Sequence, residues 1–187
     1  MLREEYTNHS GGAIGSDYYF EEIGLKYGVI NHIHYWYKFK NPHSKWEHQI
    51  TKEQYEEGII HIKKANETLK RRNIDRYMHL LSRNWFQVKN SESTFAIGTF
   101  QTRTTVKGGT GYAVQMSLDN KKKVYFFDQE QVKWFYFDYD LNKFIHIQEE
   151  DKIVLTKNFA GIGTRELNSY GKKAIEQLYI NTFKYEI

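Results

Sequence analysis

Three short stretches of this chain place glycines among small polar residues: "SGGAIGSD" (Ser10 to Asp17), "VKGGTGYAVQM" (Val106 to Met116) and "FAGIGTRE" (Phe159 to Glu166). Each reads as the turn between the end of a strand and the start of a helix. Glycine lets the backbone approach a ligand closely, and a helix N-terminus offers unpaired N–H groups and a positive dipole end, which suits a phosphate. One such turn is an ordinary structural device, whereas three that converge would make a site. The candidate backbone ligands are Gly11, Gly12, Gly15, Gly98, Gly108, Gly109, Gly111, Gly161 and Gly163. Ser10, Thr110 and Thr164 add hydroxyls, and Arg165 offers two parallel N–H groups to a phosphate. Asp17 is either an acceptor for ribose hydroxyls or a carboxylate at a helix N-terminus, and Asp128 either a ribose or base ligand or a turn cap. Tyr18, Tyr19, Tyr112 and Trp36 either stack on a base or belong to the core.

The elements that must position these residues alternate between strand and helix. After Glu5 to His9, "YYFEEIGLKYG" carries Phe20, Ile23 and Tyr27 at helical spacing, and "VINHIHYW" from Val29 is a β-branched and aromatic strand. "YKFKNPHSKWEH" is polar and irregular and reads as a surface loop. A long helix follows in "ITKEQYEEGIIHIKKANETLKRR", where Thr51 and Gln54 make a capping box. The segment "DRYMHLLSRNWFQVKNS" is helical, with Leu81, Trp85 and Val88 on one stripe. "TFAIG" and "KVYFFDQ" are strands on either side of the second glycine turn and its helix. "VKWFYFDYDLNKFIHI" alternates as a hairpin turning near "YDLN". "VLTKNFAGIG" is a strand and turn, and "NSYGKKAIEQLYINTF" a closing helix. This order predicts an α/β fold of Rossmann-like type over residues 1–187. It would be one domain with a mainly parallel sheet, helices on both faces and a small β-hairpin insertion.

Composition narrows the classes. A chain of 187 residues with 40% hydrophobic and 27% charged residues suits a globular domain. It has no cysteine, which removes disulfides, thiolate metal sites and cysteine nucleophiles and fits a reducing cytoplasm. No apolar run is long enough to span a bilayer, and "MLREE" lacks the apolar region of a signal peptide, so no membrane partner is expected. The net charge of +4 is spread thinly, and "KRR" (Lys70 to Arg72) and "KKK" (Lys121 to Lys123) read as solvated helix ends or turns. That pattern argues against a nucleic-acid partner. His32 and His34 share a strand face with a spacing seen in metal pairs, but no third ligand is tied to them, and a polar strand face is the reading taken. His43, His48 and His61 read as surface residues. No metal or cofactor is expected.

At the glycine turns the sequence resembles a known superfamily. "SGGAIGSD" is similar to the "SGGA-x-GAD" turn of the Rossmann-like proteins that include DprA and the lysine-decarboxylase-like lonely-guy (LOG) proteins. "GGTGYAVQ" resembles their "PGG-x-GT-x-x-E" signature, and Arg83, nine residues before Glu92, matches the spacing of their arginine and acidic residue. The resemblance spans about 120 of the 187 residues. It implies a nucleotide-type ligand held through phosphate, a homo-oligomer, and an N-glycosidic reaction that releases base from ribose 5-phosphate. The family's catalytic glutamate falls on Gln115, and an amide cannot ionise, so it cannot act as a base or stabilise an oxocarbenium-like centre. Arg83 is then half of a catalytic pair, with Glu166 or Asp17, from another turn, as a substitute carboxylate. "FAGIGTRE" looks like a stretch that opens phage and bacterial relatives, yet here it comes last, which implies circular permutation.

The expectation is a nucleotide or nucleotide-derived signalling molecule bound without turnover, and sequestered, as the phage relatives suggest. The alternative is a phosphoribohydrolase that cleaves a nucleoside monophosphate, in which Arg83, Gln115 and Glu166 are the catalytic candidates. A single-strand DNA module like DprA is disfavoured by the scattered charge.

Overall fold

The structure is a computed structural model that describes residues 3–40 and 45–184. Eight strands form one sheet: β1 (Thr7–Ser10), β2 (Asn31–Trp36), β3 (Glu47–Gln49), β4 (Ser93–Gly98), β5 (Lys123–Asp128), β6 (Lys133–Asp138), β7 (Lys143–His146) and β8 (Asn158–Gly163). Their order is β3-β2-β1-β8-β4-β5-β6-β7. The first six strands in that order are parallel, and the β6/β7 hairpin continues the sheet antiparallel. Among the described residues the five α-helices are α1 (Ser16–Lys26), α2 (Lys52–Leu69), α3 (Met78–Lys89), α4 (Gly108–Asp119) and α5 (Ser169–Phe183). This is the α/β, Rossmann-like arrangement that alternating elements predict.

Strand alternation divides the core between the two faces. On β4, Phe95 and Ile97 join Phe20 of α1 and Ile175 and Leu178 of α5, whereas Ala96 faces the other way, with Leu81 and Trp85 of α3 and Met116 of α4. On β8, Phe159 takes the first side and Ala160 and Ile162 the second. Helix α2 lies outside α3 and α4 and packs on both. Its N-terminus carries the capping box: Gln54 N–H donates to Thr51 Oγ1 (3.2 Å) and Thr51 N–H to Gln54 Oε1 (2.8 Å). No helix among the described residues is long and apolar enough to cross a membrane.

The chain winds outward from β1 to β3, restarts at β4 and winds outward the other way, and returns at β8 to fill the centre. "FAGIG" therefore lies between β1 and β4 and not on an outer edge. The described ends of the chain meet, with the Tyr6 and Phe183 rings 4.9 Å apart and the Arg3 guanidinium 5.5 Å from the Phe183 ring.

Two elements differ from expectation. The segment read as a surface loop contains β3, three residues parallel to β2; residues 41–44, including His43, lie outside the described residues. The helix expected from Asp75 is a 3-10 turn over Ile74–Tyr77 leading into α3. Central strand β1 is also polar, because its side chains bond inside the sheet. Asn8 Oδ1 accepts from Gly161 N–H (3.0 Å), and Asn8 Nδ2 lies 3.3 Å from His32 Nδ1. The His9 ring bridges the Tyr35 hydroxyl (2.9 Å) and Asn158 Oδ1 (3.1 Å). His32 and His34 lie two apart on β2 and are buried, 4% and 2% exposed, so the polar face they share is turned to the interior.

Candidate functional site

The turn after β1 is built around Asp17. Asp17 Oδ2 accepts from the N–H groups of Gly11 (3.1 Å) and Ala13 (3.4 Å), and Oδ1 from Gly163 N–H (3.1 Å) at the end of β8. Gly12 N–H donates to Ser10 Oγ (3.2 Å). Gly12 and Gly15 hold φ of 61° and 99°, where a side chain is strained, which is why glycine recurs here. Burial pushes the Asp17 carboxyl up from its ordinary value, while Arg83 and the three N–H groups pull it down. Three N–H donors converge on its two oxygens, so the carboxyl serves the turn as an acceptor.

The turn after β8 locks onto the first. Ser16 donates to the Thr164 carbonyl through both N–H (3.0 Å) and Oγ–H (2.8 Å). Thr164 N–H donates to the Ile97 carbonyl of β4 (2.9 Å), and Glu166 N–H to Thr164 Oγ1 (3.2 Å). The backbone N–H groups that these two glycine turns were expected to offer a phosphate are thus largely committed within the protein.

The third turn differs. Helix α4 opens after Lys107 without a side-chain cap, and its first-turn N–H groups have no intrahelical partners. Gly108 sits at φ 66° with open space where a side chain would be. Arg71, part of "KRR", is not a solvated helix end. Lys70 closes α2 in the left-handed region (φ 50°), which turns Arg71 back over the α4 turn. There it donates to the carbonyls of Gly108 and Val106 (2.5 Å for the latter), and its guanidinium lies 5.1 Å from the Tyr112 ring centre.

Between these turns and α3 lies a cleft of about 790 Å³ at the carboxyl ends of the central strands. This is the switch point of the strand order, where open α/β sheets bind ligands. Five cationic side chains line it (Arg71, Arg72, Arg83, Lys107 and Arg165) against three carboxylates (Asp17, Glu130 and Glu166). Arg83 is the most constrained of the cations. Its Nη1 donates to the carbonyls of Gly11 (3.3 Å) and Tyr35 (3.5 Å), and its buried Nε has no partner. Burial pushes the Arg83 pKa down; Asp17 acts against it, and the charge of Arg165 adds a smaller push downward. Ile74, Tyr77, Leu80 and Leu81 form an apolar wall beside the cations.

The cleft gathers Asp17, Arg83, Gly98, Gly108, Gly109, Thr110, Gly163, Thr164, Arg165 and Glu166 from the residues singled out in the sequence. Ser10, Gly11, Gly12, Gly15 and Gly111 lie in the turns but not on its lining. Gly161 is a packing residue in β8, where a Cβ would come 2.6 Å from the Phe20 ring. Gln115 lies deeper in α4 and donates to Asp119 Oδ1 (2.8 Å), off the cleft. Asp128 is fully used as a turn cap, accepting from the N–H groups of Phe100 (2.9 Å), Glu130 (2.8 Å) and Gln131 (3.0 Å). Glu92 precedes β4, at the opposite end of the sheet from Arg83. Of the four aromatic candidates only Tyr112 lines the cleft. Sequence reasoning passed over Arg71, Lys107 and Tyr77. Lys107 had a local signal, being next to the glycine turn, whereas Arg71 and Tyr77 depend on the chain reversal after α2. Among the described residues no group of three or more His, Asp or Glu side chains is placed to hold a metal ion. No family model, curated protein or solved structure matches the chain.

Proposed function

We propose that this cleft binds a nucleotide or nucleotide-derived signalling molecule through its phosphate and holds it without turnover. The observation that carries the reading is the convergence of Arg83 and Arg165. Arg83 is lowered by burial, with Asp17 acting against that and Arg165 adding to it, and its buried Nε–H lacks a partner, so an anion in the cleft would gain a charged donor there. The uncapped start of α4 on the facing wall adds backbone donors of the same sense. The central position of β8 and the meeting of the described chain ends support a permuted relative of the DprA and lonely-guy proteins.

Binding is favoured over hydrolysis by the state of the carboxylates. The buried one, Asp17, has its oxygens occupied by three N–H groups, so it is not free to act as a base or to face a developing cation. Glu166 and Glu130 are exposed, where water screens the charge that an oxocarbenium-like centre would need. Gln115 is off the cleft altogether. Incubating the purified protein with adenine and guanine nucleotides, ADP-ribose species and cyclic dinucleotides, then filtering, denaturing and identifying retained molecules by mass spectrometry, tests the reading. Intact nucleotide is the expected result. Free base with ribose phosphate would replace binding with glycosidase activity, and retention of nothing would remove both.

A further inference from the structure

Among the described residues, large hydrophobic side chains that stand exposed are spread over the surface, and only one of them, Tyr77, lines the cleft; it is 55% exposed. Its setting holds it there. Asn73, at φ 58°, starts the 3-10 turn in the left-handed region, and α3 begins directly after Tyr77. The chain on either side is therefore fixed while the ring stands in the open. Ile74 and Leu80 extend the same wall, and Arg83 lies further along α3, six residues on, toward Arg165. An aromatic ring kept in water at the mouth of a cationic cleft gains apolar contact only when something flat lies against it.

We propose that Tyr77 is the platform for the base of the ligand, so that the cleft selects a nucleotide over a bare phosphosugar. This rests on the phosphate reading above and deepens it: the phosphate sits toward Arg83 and Arg165, and the base lies over the Tyr77 ring against Ile74 and Leu80. Stacking on an aromatic side chain tolerates any base. Selection between adenine and guanine is therefore not a property of Tyr77.

Isothermal titration of the full chain with AMP, GMP and ribose 5-phosphate, in the wild type, Tyr77→Ala and Tyr77→Phe, tests the assignment. The nucleotides should bind the wild type more tightly than ribose 5-phosphate. Tyr77→Ala should weaken the nucleotides by roughly 5- to 150-fold while ribose 5-phosphate changes by less than about twofold, and Tyr77→Phe should restore nucleotide affinity. A merely structural tyrosine would move all three probes together. If a nucleotide binds but Tyr77→Ala leaves its preference over ribose 5-phosphate unchanged, the platform is refuted and the phosphate site stands. If none of the three probes binds the wild type, the platform for a mononucleotide base is refuted, and the phosphate reading fails with it when the retention panel also yields nothing.

Discussion

Replacing Asp17 by asparagine preserves the shape of the side chain and converts one of its two acceptor oxygens into a donor. In the fold Oδ1 receives one N–H, from Gly163, and Oδ2 receives two, from Gly11 and Ala13. Whichever way the amide is turned, at least one backbone donor then faces an NH2 group. Hydrogen bonds to a charged acceptor contribute roughly 1.5–3 kcal/mol each, so losing the Gly163 bond alone costs about that much. Burial of the carboxylate, which pushes its pKa up, is a cost that the neutral amide escapes. Taken together, Asp17→Asn should lower stability by about 2 kcal/mol, and Asp17→Ala, which strands three donors, by more. With a urea slope of about 2 kcal/mol per molar, the midpoint should fall by about 1 M for the asparagine variant. Amide exchange should show Gly11 and Gly163 losing protection in advance of the core strands. A variant as stable as the parent, with those amides still protected, would show that the carboxylate does not tie the β1 and β8 turns together.

Arg83→Met removes the cation beside buried Asp17 and the donor to the Gly11 and Tyr35 carbonyls, so the urea midpoint should fall and nucleotide affinity should drop at least about tenfold; lost stability with intact affinity, by urea melt and titration, would make Arg83 structural. In Gly161→Ala the new Cβ would meet the Phe20 ring at 2.6 Å and Asn8 Oδ1 at 2.9 Å, for a cost of about 1–3 kcal/mol by thermal melt. Gly108→Ala has open space and should cost about 1 kcal/mol through its left-handed backbone alone, and Gly108→Asn less; an equal loss for both would count against φ as the cause. Stability should also fall as pH drops from 7 to 5. Burial, then the charges of His32 and Arg83, hold His34 at about 4, and burial lowers His9 and His32 too, so the unfolded chain takes up protons that the fold refuses. Glu21, 3.3 Å from His34 and raised by burial, works in the opposite sense. His34→Gln should therefore flatten the urea midpoint against pH, and a parent midpoint that does not move over this range would contradict the assignment.

What the sequence made legible was local. The Thr51/Gln54 capping box, the hairpin turn and the stripe of Leu81, Trp85 and Val88 depend on residues three to seven apart, and all appear where they were expected. The alternatives left open for Asp17 and Asp128 were also local, because their donors lie mostly within six residues; both turned out to satisfy the backbone. The rest depended on distant partners. A polar β1 looks unfit for the centre of a sheet until Asn8 is seen to bond β8, and β3 has too few residues to show any alternation. Arg71 reads as one of three adjacent cations, and only the left-handed end of α2 brings it to the α4 turn.

The same division explains how the cleft can be ready for a ligand before one arrives. Glycine turns suggest a phosphate cradle, yet Gly11, Gly12, Ala13, Gly163 and Thr164 give their N–H groups to Asp17, Ser10 and the Ile97 carbonyl. Those two turns are tied to each other by these bonds; Arg165 projects from the second of them, and Arg83 reaches the cleft from α3. On the proposed reading, recognition of an anion would fall to side chains and to the start of α4, which has no side-chain cap. Arg83, held by the Gly11 and Tyr35 carbonyls, would lose little further freedom on binding the proposed anion. In that division of labour the glycines are needed for the fold of the turns, and Arg83 of α3 and Arg165 of the β8 turn for the proposed binding.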